Sequence, residues 1–441
     1  MATDINKIKP QILIQDEGVD LPRRDTIDFV GAGVTVTEDA LNDKTIVTIP
    51  GGGGGGATGI WGIADATGTY TFYANLGLAI AAAVSGDVIV LFTNYTETVS
   101  SSVFYKNGVN INLNGHTYEY AVADNIDTLS DGGLAATVTI FNGTLKRTGA
   151  LAPTNTLGVC LKVSNASSNV TLQGVTVIAE DGSNCCIVQG GKLSGGYYRQ
   201  IGAVAGSNYA FQVGSASAVV DNVYVHADSK YTRSDLGKIF NSYFRSDGDY
   251  GIYVFSGEAH NITGYSTAND GILVGTAKVF NSTGISSSIA GIDTGTGSEI
   301  YNCTGYSSAS VGINNLGYAF NCSAKSETVY AFNGGSSSKT YNCTAWSSAS
   351  YAILSKGTII KTSAISTWNN AAGHGFNLAE NNDEIVDCYA EVTNASAYGV
   401  NAPTTSPYVT GFSGKGMTQL LNLLSNAQVN TEDSFGNILI G

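Results

Sequence analysis

The stretch that decides the fold reads Val279-Phe-Asn-Ser-Thr-Gly284, and it returns as Ile300-Tyr-Asn-Cys-Thr-Gly305, Ala319-Phe-Asn-Cys-Ser-Ala324 and Thr340-Tyr-Asn-Cys-Thr-Ala345. Its asparagines are Asn241, Asn261, Asn281, Asn302, Asn321 and Asn342, at intervals of 20, 20, 21, 19 and 21 residues. A second column keeps step with them: Gly251-Ile252, Gly271-Ile272, Gly291-Ile292, Gly312-Ile313, Ala331-Phe332, Ala352-Ile353, Gly375-Phe376 and Gly399-Val400. Two columns in phase over eight turns mark a solenoid with coils of about twenty residues. When each coil lies on the last at the strand spacing, a sequence position becomes a vertical column. Asn at a bend then bonds its equivalents above and below, Gly or Ala at the next corner permits a tight turn or a positive φ, and the Ile or Phe that follows points into the core. Leucine-rich repeats share the period but require a Leu consensus that is missing. The expected fold is therefore all-β, a right-handed parallel β-helix of about thirteen coils and roughly 60 Å between Asp87 and Pro407. The last two intervals of the second column lengthen to 23 and 24, which predicts protruding loops, and residues 181–233 match the motif poorly.

Composition agrees with a thin, extended core. Charged residues make up only 13% of the 441, Gly contributes 55 and Pro six, while 43% are hydrophobic and 24 are Tyr. A net charge of −14 argues against a nucleic-acid partner, which needs clustered Lys and Arg. Residues 1–10 lack the apolar segment of a secretory signal and no run of 18 apolar residues occurs, so neither signal-directed export nor membrane insertion is expected. Seven Cys, with Cys303, Cys322 and Cys343 in equivalent places, read as small hydrophobes stacked in the core. Adjacent Cys185 and Cys186 cannot both face inward on a regular strand, which predicts that one is exposed.

Five segments are expected: an N-terminal β module over 1–50, a glycine-rich tether over 51–58, a cap with the first coils over 59–130, the β-helix body over 131–410, and a cap or subunit-contact segment over 411–441. Within the first, Val34–Glu38 and Thr45–Ile49 alternate apolar and polar residues around Asn42-Asp43, the pattern of a hairpin. Gly51–Gly56 has the freedom of a linker. Thr71–Ala83 reads as a helix, followed by the buried strand of Ser85-Gly-Asp-Val-Ile-Val-Leu91. Met417–Gln428 is apolar-periodic with helix formers.

The stretch Phe29-Val-Gly-Ala-Gly-Val-Thr-Val-Thr37 with Asn42-Asp-Lys-Thr-Ile-Val-Thr-Ile-Pro50 resembles a segment of phage tail and baseplate-associated proteins, over about a tenth of the chain. The Ala-rich helix, the Gly86-Asp-Val-Ile-Val-Leu91 strand, Tyr95-Thr-Glu97 and the Asn107-Gly and Asn114-Gly steps resemble the start of pectate-lyase-like β-helices. Together these suggest a bacteriophage tailspike or tail fibre. That resemblance implies a homotrimer in the virion tail, docked through residues 1–50 to tail, baseplate or portal-associated proteins, and acting at the host cell surface on a polysaccharide. The expected role is receptor binding during adsorption. The alternative is a depolymerase, a hydrolase or lyase cleaving capsule or lipopolysaccharide.

Candidate chemistry is sparse. The Asn-x-Ser/Thr triplets at Asn281, Asn302, Asn321 and Asn342 match a glycosylation acceptor, but the ladder accounts for them. The aromatic column Phe240, Phe280, Tyr301, Phe320 and Tyr341, with Tyr265, Tyr306 and Trp346 on the next face, is open to three readings: core, subunit interface, or a platform for sugar rings. For glycan cleavage two nearby carboxylates are wanted. Arg245 with Asp247, Asp249 and Asp270 form one candidate set, Asp249 and Asp270 being expected one rung apart on one corner. His374, Glu380, Asp383, Glu384 and Asp387 form another. Ordinary turn chemistry competes in both. No metal or cofactor motif is visible.

Overall fold

The computed structural model describes residues 59–441 apart from 123, 149–157, 181–182, 203–208, 370–372, 381–382, 395, 403–406, 418, 424–427, 433–437 and 441. Before them it describes only the strand pairs Gln15–Asp16 with Val19–Asp20 and Thr35–Asp39 with Lys44–Thr48. The second is the expected hairpin, with Thr37 opposite Ile46. The expected tether, 51–58, lies outside the described residues. Residues 1–57 form a unit of their own, and residues 58–441 form the second.

The second unit is a parallel β-solenoid. Each regular coil contributes three strands. In one coil these are Glu258–His260, Thr263–Ser266 and Ile272–Val274. The first two belong to a 31-stranded sheet that continues around the bend, and the third to a 14-stranded sheet with one strand per coil. Register is one rung per repeat: Ile252, Ile272, Ile292, Ile313, Phe332, Ile353, Phe376 and Val400 lie over one another. All eight are buried. The coils also continue through residues 184–234, where the motif is weak, in the strands Asn184–Val188, Lys192–Gln200, Phe211–Val213 and Thr232–Ser234.

The bend between the first two strands is a single residue in the left-handed region. Asn241, Asn261, Asn281, Asn302, Asn321 and Asn342 have φ between 48° and 54°, joined by Asn114, Asn142 and Asn222 lower down and by Lys361, Asp387 and Gly411 higher up. Asn tolerates this conformation because its short amide can bond locally. In four of these bends Nδ2 donates to the amide oxygen one coil back: Asn261 to Asn241 at 3.1 Å, Asn302 to Asn281 at 3.0 Å, Asn321 to Asn302 at 3.2 Å and Asn342 to Asn321 at 2.8 Å.

The glycine column works differently from expectation. Gly251, Gly271, Gly291 and Gly312 are not among the positive-φ glycines. They are small because the second strand crosses them backbone to backbone: a Cβ on Gly271 would lie 2.3 Å from the Ile285 nitrogen, and one on Gly264 2.3 Å from the Gly271 oxygen. An inward serine column completes this corner. Ser266, Ser286, Ser307, Ser326, Ser347 and Ser366 are buried, and their hydroxyls donate at 2.5 to 2.9 Å to turn carbonyls such as those of Asp249, Asn269 and Ile289.

Three further expectations are corrected. Cys185 and Cys186 are both fully buried, because Asn184–Val188 begins at a corner where successive side chains turn inward before strand alternation resumes. The helix is shorter than expected, Leu76–Ala82. Tyr70–Tyr73 pairs instead with Trp61–Ala64, and the Asn75 side chain caps the helix by accepting from Leu78 N–H at 2.9 Å. Its buried Leu76, Ala79 and Ile80 join the core, so it covers core at the start of the solenoid. Where Met417–Gln428 carries helix formers, the described residues are strand: Gln419–Leu423 pairs in parallel with Tyr398–Ala402, and Gln428–Glu432 with Tyr408–Thr410. Adding a rung to an existing sheet supplies partners for every backbone group, which outweighs local helix propensity.

Three substitutions test this construction by chemical unfolding. Asn302→Ala loses both the left-handed preference and two ladder bonds and is expected to cost about 2–3 kcal/mol. Lys361→Asn, at φ 52°, should gain about 1 kcal/mol. Gly271→Ala has nowhere to put its methyl and should cost at least about 3 kcal/mol.

Candidate functional site

The outward faces of the three strands carry different chemistry. On the first strand the aromatic column is continuous and stacked. Phe240, His260, Phe280, Tyr301, Phe320 and Tyr341 lie with ring centroids 4.5 to 5.1 Å apart and planes within 15°. His260 is the member that sequence reading missed, because a search for Phe and Tyr passes over an imidazole of the same flat shape. The rings sit half-buried on the outer surface, outside the core.

On the second strand Arg245, Tyr265, Ile285, Tyr306, Lys325 and Trp346 share one column. The Arg245 guanidinium lies 5.3 Å from the Tyr265 ring, and Lys325 Nζ lies 5.4 Å from Tyr306 and 4.8 Å from Trp346. The expected aromatic residues are thus interleaved with cations. The Tyr306 hydroxyl donates to Glu327 at 2.6 Å.

The third strand and the turn before it hold a depression of about 300 Å³ lined by Ile289, Ala290, Asp293, Ser310, Val311, Asn314, Val329, Tyr330 and Asn333. Its origin is legible column by column. Two residues before the buried Ile or Phe of each third strand stand Tyr250, Asp270, Ala290, Val311, Tyr330, Tyr351, His374 and Tyr398. Where Tyr330, Tyr351 and His374 follow one another the rings stack. Ala290 and Val311 are too short to fill that layer and leave the hollow. One side carries an amide ladder: Asn333 Nδ2 donates to Asn314 Oδ1 at 2.7 Å, and Asn314 Nδ2 to Asp293 Oδ1 at 2.7 Å.

The three acids Asp247, Asp249 and Asp270 do not converge. Asp247 faces the second-strand column, bonded to Arg245 Nε at 2.9 Å and to His226 Nε2 at 3.0 Å. Burial works against its charge, but those two partners prevail and hold its pKa below the usual value. With His226 and Asp228 it forms a trio whose ligand atoms lie within 4.8 Å of one another, a spacing a metal ion would accept. Arg199 and Arg245 already pair with its carboxylates. Asp249 accepts from Tyr250 N–H at 2.9 Å and from Asn269 Nδ2 at 3.4 Å, a turn role.

Asp249 and Asp270 were expected as equivalents one rung apart. Asn269 is the residue over Asp249, as the matching serine bonds to their carbonyls show. Asp270 occupies the next position along, in the column of Tyr250 and Ala290. The twenty-residue period places 249 under 269, so the offset of 21 moved the aspartate by one site. Asp270 is only 3% exposed and its Oδ1 accepts from Ala290 N–H at 2.8 Å. Burial pushes its carboxyl up to about 7, and the Asp293 charge adds to the shift. Asp293 is raised as well, by burial.

The second candidate set is also dispersed. His374 Nδ1 accepts from Tyr398 N–H at 3.0 Å, and burial lowers its pKa. Asp383 accepts from the Ala379 and Glu380 amides at 3.2 and 3.1 Å, and burial pushes its carboxyl up to about 6. Glu380 pairs with Lys356. No protein family, curated protein or solved structure matches the chain.

Asp270 gives the site a pH signature. The folded chain keeps its proton up to about pH 7, whereas an ordinary Asp releases it near 3.8. Folding therefore takes up a proton between these values, and stability falls as pH rises through that window. In thermal scans from pH 4 to pH 8, Asp270→Asn should become progressively more stable than wild type, with the difference near zero at pH 4. A constant difference would show that the carboxyl is not held neutral.

Proposed function

We propose that this protein is a spike or fibre of a tailed bacteriophage that binds a host cell-surface polysaccharide. The single observation that carries the binding role is the depression beside Tyr330, in which an aromatic ring stands next to a row of planar amides and carboxyls. Sugars offer an apolar C–H face that stacks on a ring and hydroxyl pairs that bond side-chain amides, and a concave, partly apolar surface with a few convergent polar groups suits them. The virion role rests on the resemblance of residues 29–50 to tail and baseplate-associated segments, and the six-glycine run Gly51–Gly56 suits a swivelling attachment. Three copies on one axis, as that resemblance implies, would multiply weak lateral sites into a firm grip.

One observation favours depolymerase activity as the second reading. A buried carboxyl at about 7 next to another raised carboxyl, Asp270 beside Asp293, has the proton affinity of a general acid at neutral pH.

Purified protein incubated with encapsulated bacteria, and with the same cells stripped of surface polysaccharide, separates these outcomes. Retention on the first and not the second is expected, with Tyr330→Ala weakening retention about fivefold to tenfold at unchanged Tm. Equal retention on both kinds of cell would refute polysaccharide binding. Release of reducing ends that stops in Asp270→Asn would establish the depolymerase.

A further inference from the structure

We infer that the depression selects uncharged or amine-bearing sugars and rejects glycans that carry carboxylates, such as uronic or sialic residues. This rests on the glycan-binding reading above and narrows its ligand.

The argument begins with charge. The lining contains no Lys, Arg or His. Its one ionisable acid is Asp293, and Asp270 lies directly behind Ala290, to whose amide it is bonded. Among the described residues neither carboxyl has an ion-pair partner, whereas Asp247 and Asp235 are each met by an arginine. The cations of these coils are placed elsewhere, Arg245 and Lys325 on the second-strand column against Tyr265, Tyr306 and Trp346. A ligand carboxylate entering the depression would find no cation to pair with and would be repelled by Asp293 whenever that group is ionised, while buried Asp270, protonated up to about pH 7, adds less.

The identity of residue 293 supplies a second, independent observation. The outward position of the third strand reads Tyr253, Leu273, Asp293, Asn314, Asn333, Leu354, Asn377, Asn401 and Asn422. Higher up, Asn422 donates to Asn401 at 2.7 Å and Asn401 to Asn377 at 2.9 Å, so a ladder of this kind starts adequately on an amide. Asp293 is therefore not required for the ladder. As a partly buried carboxyl it is less comfortable than Asn. What it adds is an acceptor-only group beside the hollow, able to take hydrogen bonds from sugar hydroxyls or an ammonium and to repel an anion.

The test uses the full chain and matched probes: hyaluronan, alginate and polysialic acid, each compared with its carboxyl-reduced form, together with mannan, dextran and chitosan oligomers. Binding is read by biolayer interferometry for wild type, Asp293→Asn, Asp270→Asn and Tyr330→Ala. Wild type should bind at least one neutral or amine probe at least tenfold more tightly than any carboxylate probe. Asp293→Asn should narrow that ratio severalfold by gaining affinity for the carboxylate forms, Asp270→Asn should do so less, and Tyr330→Ala should weaken all binding. Carboxylate probes bound as tightly as their reduced forms, with the ratio unmoved in Asp293→Asn, would overturn the selectivity and leave glycan binding standing. No binding to any probe would remove both.

Discussion

Everything in the solenoid depends on one close approach: the backbone of the second strand against the glycine corner that opens the third. At Gly264 and Gly271, Gly284 and Gly291, and Gly305 and Gly312, two stretches of main chain meet with no room for a Cβ on either. In these coils a Cβ at either position would force the two strands apart. Higher up, where Ala324 faces Ala331 and Ala345 faces Ala352, alanine takes both positions and the rungs continue in register. The buried serine column acts at the same place, tying the intervening turn to the next coil through its carbonyls. Because the turn is held, the residue just before each glycine takes the same place beside the third strand in every coil. The depression follows from this. When that residue is Tyr330, Tyr351 or His374 the layer is filled by stacked rings, and when it is Ala290 or Val311 it is not.

Much of this was legible in the sequence, and the parts that were not share a cause. The Asn column announced itself because a left-handed bend admits few residue types, and selection for one type makes a visible period. The third-strand Ile column was visible for the same reason. The serine column was present in the same text, at a strict repeat, but Ser is so common in this chain that its period did not stand out from the background. The one-residue slip between Asp249 and Asp270 has a different origin. A period of 19 to 21 residues leaves a one-residue ambiguity, and in a β-strand one residue is the difference between facing in and facing out. Only the backbone register resolved it.

Two misreadings came from applying local rules where the neighbouring coil decides. Cys185 and Cys186 follow a corner, where alternation is interrupted. Gln419–Leu423 has the composition of a helix, but a sheet edge with unpaired groups lies one rung below. The aromatic residues illustrate the converse limit. The sequence showed that they recur but could not show that those of the first strand stack on one another while those of the second are interleaved with Arg245 and Lys325. In the coils around the depression charge is thus sorted by face: Arg245 and Lys325 lie against the aromatic rings of the second strand, and Asp270 and Asp293 lie beside the third with no ion-pair partner among the described residues, whereas lower down Arg233 pairs with Asp235 on the third strand itself.

The asparagine ladder has a direction. The Nδ2 groups of Asn261, Asn302, Asn321 and Asn342 all donate toward the preceding coil, and the lowest bond, from Asn241, ends on Asp221 at 3.0 Å, a carboxylate that needs no donor beneath it. A finished coil consequently presents a free amide oxygen at its bend to whichever coil comes next. During synthesis the N-terminal coils are complete first, so each new bend leaving the ribosome meets an acceptor already in position. The ladder is a one-way zipper whose polarity matches the polarity of translation.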